Sequence, residues 1–235
     1  MMFAQDAQAA GDCPALPRKA VMPPDAVPAS LYFPEWKTQV DTLQANLSHQ
    51  DLASRHLVFV GDSLTFNWVG YPDIFKHYYG QRAPLNLGVW GDRTEGVLKR
   101  LDGEMVGLQP RLVVLLIGTN NTATGSRPEN VALGVAEIVR LIHARSPTSR
   151  VLIVGILPRG LNPSPLRDAN ARVNELIAQC ADGKTTFTAD VGPALLNTAG
   201  QFTADISPDE VHLTSAGYTL LAQALRPIID KLDSE

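Results

Sequence analysis

Several features are scarce in this chain of 235 residues, and each scarcity excludes a class of protein. Its apolar runs are short and interrupted by glycine, proline or charge, so none approaches the roughly 20 residues that a membrane-spanning helix needs. A formal net charge of -4 without any basic run provides no electrostatic footprint for nucleic acid or an anionic membrane. We therefore expect no nucleic-acid partner and no membrane span.

Cysteine occurs only at Cys13 and Cys180, and the five histidines do not pair at ligand spacing. Without a Cys-x-x-Cys motif or a histidine pair, the sequence predicts no metal site. The two cysteines either form a bridge, which would be worth about 5 kcal/mol in the chain-entropy model, or remain free thiols. The sequence favours neither alternative.

The N-terminal segment lacks a periodic apolar pattern, which predicts an extended or poorly ordered stretch over residues 1–35. Within it, Ala7-Gln8-Ala9 is similar to the small-residue end of a secretory signal, although no apolar region precedes it. We expect an exported, periplasmic or secreted protein whose sequence starts near a cleavage point. A cytoplasmic location stays open.

From residue 36 onward, short apolar runs alternate with helical patterns, which predicts one domain over residues 36–235. The predicted strands are 57–60, 84–87, 112–117, 151–156 and 185–189. The predicted helices include 36–47, 94–101, 166–180 and 215–232, with another after Pro128. Short, continuous apolar strands separated by helices predict an α/β fold with a five-stranded parallel sheet covered on both faces.

A candidate nucleophile follows the first predicted strand, in Gly61-Asp62-Ser63-Leu64. A serine at the turn from a buried strand into a helix projects its hydroxyl into the crevice where open α/β sheets bind ligands. Taken alone, this serine could equally be a helix cap. Three further polar clusters, at 86–92, 118–121 and 209–212, are expected at the same edge of the sheet.

These clusters contain the residue types that acyl transfer requires. A serine needs a base, for which His212 is the candidate, and Asp209 can orient the ring nitrogen distal to Ser63. The backbone N–H groups of Ser63 and Gly91 and the amide of Asn120 are candidate oxyanion donors. Gly91 and Asn120, taken singly, are also ordinary turn residues.

The blocks Gly61-Asp62-Ser63-Leu64, Gly91, Gly118-x-Asn120 and Asp209-x-x-His212 together resemble those of the SGNH/GDSL hydrolase superfamily. Further segments, such as Gly91-Asp92-Arg93-Thr94, are most similar to the branch of platelet-activating-factor acetylhydrolase catalytic subunits and their bacterial relatives. The resemblance implies a flavodoxin-like, three-layer fold and no cofactor. It also implies a Ser63, Asp209 and His212 triad, an oxyanion hole of Ser63, Gly91 and Asn120, and ester hydrolysis.

Trp90 departs from that branch, which has a small residue before the oxyanion glycine. We expect a substrate pocket of different shape, lined by Leu64, Trp90 and Val211. Arg159 either reaches the site or pairs at the surface. A phosphate-binding module is disfavoured, because Gly183-Lys184-Thr185 lacks the earlier glycine of a phosphate-binding loop.

The sequence thus predicts a serine esterase that removes short, acetyl-type acyl groups from a small-molecule or carbohydrate ester through an acyl-enzyme. The alternative is an acyltransferase that moves the acyl group to a sugar or another alcohol. The same catalytic groups serve both reactions, and only acceptor access differs. The oligomeric state stays open, and a homodimer is one of the alternatives.

Overall fold

A parallel sheet forms the centre of the fold, and the computed structural model describes Cys13, Leu16 and residues 18–234. Its strands run in the order β2-β1-β3-β4-β5, each parallel to its neighbours. This is the flavodoxin-like order of a doubly wound sheet, so the predicted fold class is confirmed. The strand bounds are β1 Leu57–Gly61, β2 Pro84–Gly88, β3 Leu112–Leu116, β4 Arg150–Val154 and β5 Thr186–Ala189.

In the described part of the chain, eight α-helices accompany the sheet. Their bounds are α1 Pro34–Leu47, α2 Ser63–Phe66, α3 Pro72–Tyr79, α4 Thr94–Glu104, α5 Thr119–Ala123, α6 Pro128–Arg145, α7 Pro165–Ala178 and α8 Ser215–Ser234. Short 3₁₀ turns cover Pro24–Ala26, Asn67–Gly70, Gly80–Arg82 and Gly192–Leu195. None of the helices within the described residues has both the length and the apolar character that crossing a bilayer requires.

Both faces of the central strands β1 and β3 are buried, which explains why these strands read as continuous apolar runs. In β1, Val58 and Val60 belong to the apolar cluster built with α4, α6 and α7. Leu57 and Phe59 belong to the opposite cluster, with α3 and α8. Alternate residues therefore face different helical layers, as the period of two in a strand requires.

The sequence located the strands to within one or two residues and predicted a helix at Ser63 without giving its bounds, but it missed helices α3 and α5. Helices α2 and α5 have four and five residues, too few to show a helical period. Helix α3 is short and aromatic, and Pro72 occupies its first turn. Helices α2 and α5 begin directly at the site described below.

The segment before α1 lies against the domain in its described part. Ala26 and Leu31 are buried, and the buried Asp25 accepts a hydrogen bond from Asn121 Nδ2 at 3.0 Å. A disulfide joins Cys13 to Cys180 across 167 residues, which decides between the two alternatives for these cysteines. The predicted signal-like residues Ala7-Gln8-Ala9 lie outside the described residues.

Candidate active site

The polar clusters converge at the carboxyl ends of the central strands. Strand β1 lies between β2 and β3, so the strand order reverses at β1. Such a reversal opens a crevice at the carboxyl edge of an open sheet. Ser63 follows β1, Gly91 follows β2, and Asn120 follows β3, so all three lie at this edge.

Ser63 is the first residue of α2, immediately after the turn out of β1. Asp62 caps this helix, because its Oδ1 accepts a hydrogen bond from the Leu64 N–H at 3.0 Å. Glycine is required at position 61, where a Cβ atom would lie 2.2 Å from the Leu116 carbonyl oxygen. The close approach of β3 and the cap together produce the sharp strand-to-helix turn that holds the serine.

Ser63, His212 and Asp209 form one chain of hydrogen bonds. Ser63 Oγ lies 2.9 Å from His212 Nε2, and His212 Nδ1 lies 2.6 Å from Asp209 Oδ2. With the ring proton on Nδ1, donated to the carboxylate, Nε2 has a lone pair directed at the serine hydroxyl. This arrangement can remove the serine proton as the oxygen attacks an electrophile.

Asp209 is fixed by its own backbone as well as by the ring. Its Oδ1 accepts the N–H groups of His212 at 2.7 Å and Val211 at 3.1 Å. Partial burial acts to raise the pKa of Asp209, but the hydrogen bonds from the His212 ring and from the two backbone amides hold that pKa below its usual value. The carboxylate therefore stays ionised where it faces the ring.

The candidate oxyanion donors surround the serine. Gly91 has φ +74° in a tight turn closed by the Asp92 N–H to the Val89 carbonyl at 3.2 Å. A positive φ at the third position is what a type II turn requires, hence the glycine. Asn120 Nδ2 donates to the Asp92 carbonyl at 2.9 Å, which ties the end of β3 to this turn. The Ser63 amide, in the first turn of α2, has no intrahelical acceptor.

A buried ionic network below the turn was not predicted from the sequence. Arg100 Nε donates to Asp92 Oδ2 at 2.7 Å, and its NH1 donates to Glu104 Oε2 at 2.6 Å, with all three side chains fully buried. Trp36 Nε1 donates to Asp92 Oδ1 at 2.8 Å, and Arg100 NH2 donates to the Gly61 carbonyl at 3.2 Å. The network therefore links the turn after β2 to the end of β1. The i,i+4 spacing of Arg100 and Glu104 was its one sequence signal, and Glu104 lay beyond the predicted helix 94–101.

Asp62, beside the nucleophile, is the second unpredicted feature. Its carboxyl is buried, and Oδ2 has no hydrogen-bond partner among the described residues. Burial raises the pKa of Asp62 to about 7; the Leu64 N–H and Arg159 oppose this rise, and Asp92 adds to it. A carboxyl that changes its charge near neutral pH thus adjoins Ser63.

The three predicted pocket residues occupy different environments. Leu64 is only 2% exposed and packs in the core cluster with α3 and α8, whereas Val211 is partly buried. Trp90 is 47% exposed, and its ring stacks on the His212 ring at 5.7 Å between centroids with 19° between planes. Trp90 therefore contacts the candidate base, a contact that the sequence did not predict.

Arg159 lies at the rim of the site. Its NH1 is 3.4 Å from both the carbonyl and the hydroxyl oxygen of Thr119, the residue before Asn120. Its charge also acts on the buried Asp62 carboxyl. Arg159 thus contacts the start of α5, beside Asn120, and one of its partners there is a backbone carbonyl.

Comparison with known proteins places these features in a sequence family. The profile of the GDSL-like lipase/acylhydrolase family matches residues 59–220. The chain is 35% identical over 215 residues to platelet-activating factor acetylhydrolase IB subunit alpha1 from Bos taurus, covering 88% of this chain and 91% of the relative. The family match includes the segments that contribute Ser63, Gly91, Asn120 and His212.

Solved structures share the fold at lower sequence identity. A GDSL-like lipase from Bacteroides thetaiotaomicron superimposes with a TM-score of 0.68 at 21% identity, covering 82% of this chain and 97% of that one. An acetylxylan esterase from Geobacillus stearothermophilus gives a TM-score of 0.61 at 17% identity, covering 78% and 96%. At these identities the likeness concerns the fold.

Proposed function

The chain belongs to the GDSL-like lipase/acylhydrolase family and is a carboxylic ester hydrolase, and we propose on that premise that Ser63 is its nucleophile, His212 its general base and Asp209 the residue that orients the base. The observation that carries this assignment is the continuous chain from Ser63 Oγ through the His212 ring to Asp209, at 2.9 and 2.6 Å.

The proposed reaction has two steps. Ser63 Oγ attacks the ester carbonyl carbon while His212 Nε2 takes the hydroxyl proton, and the tetrahedral intermediate then expels the alcohol, which receives that proton. Water attacks the resulting acyl-Ser63 and gives its proton to His212. Collapse of the second intermediate releases the carboxylic acid and returns the proton to Ser63.

The oxyanion of each intermediate needs donors that are already in place. We assign this role to the N–H groups of Ser63 and Gly91 and to the Asn120 side chain. Asn120 Nδ2 donates one hydrogen to the Asp92 carbonyl and carries a second for the oxyanion. Removing one such donor typically costs about 3 to 4 kcal/mol of transition-state stabilisation, so the turn that holds Gly91 must be rigid.

The proposed substrate is a short-chain ester, of acetyl type, whose alcohol part is polar, such as an O-acetylated carbohydrate. Support comes from the names of an acetylhydrolase among the relatives and an acetylxylan esterase among the structures of like fold. The half-exposed Trp90 beside Gly91 takes up space next to the reacting groups. It also offers a flat aromatic surface on which a sugar ring can stack.

Export to an oxidising compartment is the proposed location. The Cys13–Cys180 disulfide supports it, because such bonds persist outside the reducing cytosol. Fractionation of the source cells tests this, since recovery of the oxidised protein outside the cytosol is expected. Recovery of the reduced protein in the cytosol would contradict it.

A series of p-nitrophenyl esters tests both the chemistry and the acyl preference. We expect kcat/KM to be highest at about two to four acyl carbons and to fall steeply by about eight. Trp90→Ala should shift this preference to longer chains if the indole limits the pocket. A maximum for long chains in the unaltered enzyme would contradict the proposed substrate class.

The same assay separates hydrolysis from acyl transfer. Product analysis with an added polyol should give free acid as the main product. An acylated polyol as the main product would instead identify the transferase alternative.

A further inference from the structure

Trp90 is unusual among the tryptophans of this chain in its exposure. Trp36 and Trp68 are each 3% exposed and pack in the core, whereas Trp90 leaves almost half of its surface in solvent. Exposed indole surface gains little from the hydrophobic effect, so burial alone does not fix this ring. Its position instead follows from two specific contacts.

The first contact fixes the backbone of Trp90. Its N–H donates to Gln39 Oε1 of α1 at 2.9 Å, and Gly91 follows it in the tight turn after β2. The Asp92 carboxylate, at the end of this turn, accepts hydrogen bonds from the indole N–H of Trp36, also on α1, and from the Arg100 guanidinium. The backbone that carries the Trp90 indole is therefore held by contacts from α1 and from Arg100.

The second contact places the indole on the face of the His212 ring. The ring planes are within 19° of parallel, with centroids 5.7 Å apart. The two nitrogens of His212 bond in the ring plane, to Ser63 and Asp209. Those bonds orient the ring in its plane, and a stacked neighbour restrains its tilting out of that plane.

The charge that His212 acquires during the reaction is stabilised by the neighbouring indole. In the proposed reaction, its ring becomes an imidazolium in each of the two steps. A cation within about 6 Å of an indole centroid is stabilised by the negative face of the ring, most strongly for tryptophan. Trp90 is placed to stabilise the charged form that the transition state creates, which lowers the barrier and leaves substrate binding unaffected.

We propose that Trp90 is a positioning residue for the general base: Trp90 restrains the orientation of the His212 ring and stabilises its imidazolium. This inference rests on the proposed function, because it assumes that His212 is the base. This role differs from that of a residue lining the pocket. Replacing a pocket-lining Trp90 would change the preference for acyl-chain length, whereas replacing a Trp90 that positions the base would lower the turnover of every ester.

The experiment compares Trp90→Leu and Trp90→Phe with the unaltered enzyme on p-nitrophenyl acetate. Leucine keeps an apolar side chain without an aromatic face, and we expect kcat to fall by about 3-fold to 30-fold with KM nearly unchanged. Phenylalanine keeps an aromatic face and should recover most of the loss. Acetyl is the shortest acyl group in the p-nitrophenyl ester series. If Trp90 only limited the size of the pocket, its replacement would therefore cause no loss of kcat on this ester.

A matched control removes an aromatic ring that lies against a different histidine. Tyr78 stands edge-on to His77 at 4.8 Å, on α3 and outside the site, so Tyr78→Leu should keep kcat on acetate. Thermal unfolding of each variant checks that the fold is retained. An activity-independent readout is the NMR signal of the His212 ring carbon-bound protons, whose ring-current shift should disappear in Trp90→Leu and persist in Ser63→Ala.

The outcomes separate this inference from the proposed function. If Ser63→Ala is inactive while Trp90→Leu keeps kcat on acetate, or if Trp90→Phe is no better than Trp90→Leu, the inference is wrong and the nucleophile stands. If Ser63→Ala keeps full activity, the proposed function itself is wrong, whatever Trp90 does.

Discussion

Replacing Asp62 by asparagine removes a buried carboxyl from beside the proposed nucleophile while keeping its shape. The asparagine oxygen can still accept the Leu64 N–H that caps α2. What changes is the charge: Asp62 is buried next to Asp92 and Arg159, and its pKa rises to about 7 from the ordinary 3.8. Asparagine cannot ionise, so the variant lacks whatever pH dependence this carboxyl gives to the fold.

The sign of that dependence follows from the direction of the pKa change. The folded protein holds the Asp62 proton more tightly than the unfolded chain does, so this group stabilises the fold fully below about pH 3.8. Its stabilisation is lost as the pH rises through about 7. Between about pH 5 and about pH 8.5 the linkage relation gives a loss of roughly 3 kcal/mol.

Urea unfolding of the unaltered protein and of Asp62→Asn at both pH values measures this loss. At about pH 5 the variant should be the less stable, because its amide nitrogen enters a buried site where Oδ2 had no partner. By about pH 8.5 the difference in unfolding free energy should have moved by roughly 3 kcal/mol in favour of the variant. A difference that stays the same at both pH values would refute the reasoning.

Three further predictions concern the bridge, the base and the turn. Replacing both cysteines by serine should lower the free energy of unfolding by up to about 5 kcal/mol, because the Cys13–Cys180 bridge spans 167 residues, and should leave kcat unchanged. An unchanged urea midpoint would contradict this. His212→Ala should lower kcat by orders of magnitude, and Asp209→Asn should lower it less, because the aspartate orients the base without taking its proton. Equal activity of His212→Ala and the unaltered enzyme would count against the assignment. Gly91→Ala should reduce kcat about 10-fold to 100-fold, since alanine resists the φ of +74° that aims the oxyanion amide, and unaltered kinetics would exclude that role.

The fold could be predicted because its signal is repeated along the chain. Each strand contains a short run of mainly apolar residues, and burial of both faces makes every residue of Leu57–Gly61 and Leu112–Leu116 apolar or glycine. Helix α6 shows a full apolar stripe over five turns. The bounds of α2 and the presence of α5 could not be predicted, because four and five residues are too few to show a helical period.

The candidate site was named from its four blocks, but its supporting contacts were not. Ser63, Asp209 and His212 belong to recognisable patterns, whereas the stack of Trp90 on His212 depends on how two irregular loops meet across 122 positions. The fully buried Arg100 likewise bonds Asp92 and Gly61, partners eight and thirty-nine residues away. Such contacts depend on tertiary packing, so the spacing of residues along the sequence does not predict them.

Covalent labelling of Ser63 tests the central claim most directly. A fluorophosphonate, which resembles the tetrahedral intermediate, is incubated with the enzyme, and peptide mass spectrometry locates the adduct while p-nitrophenyl acetate hydrolysis is followed. If Ser63 is the nucleophile, we expect a single adduct on Ser63, loss of activity in the same proportion, and no adduct in Ser63→Ala. Inactivation with the adduct on another residue, or full activity of the enzyme labelled on Ser63, would contradict it.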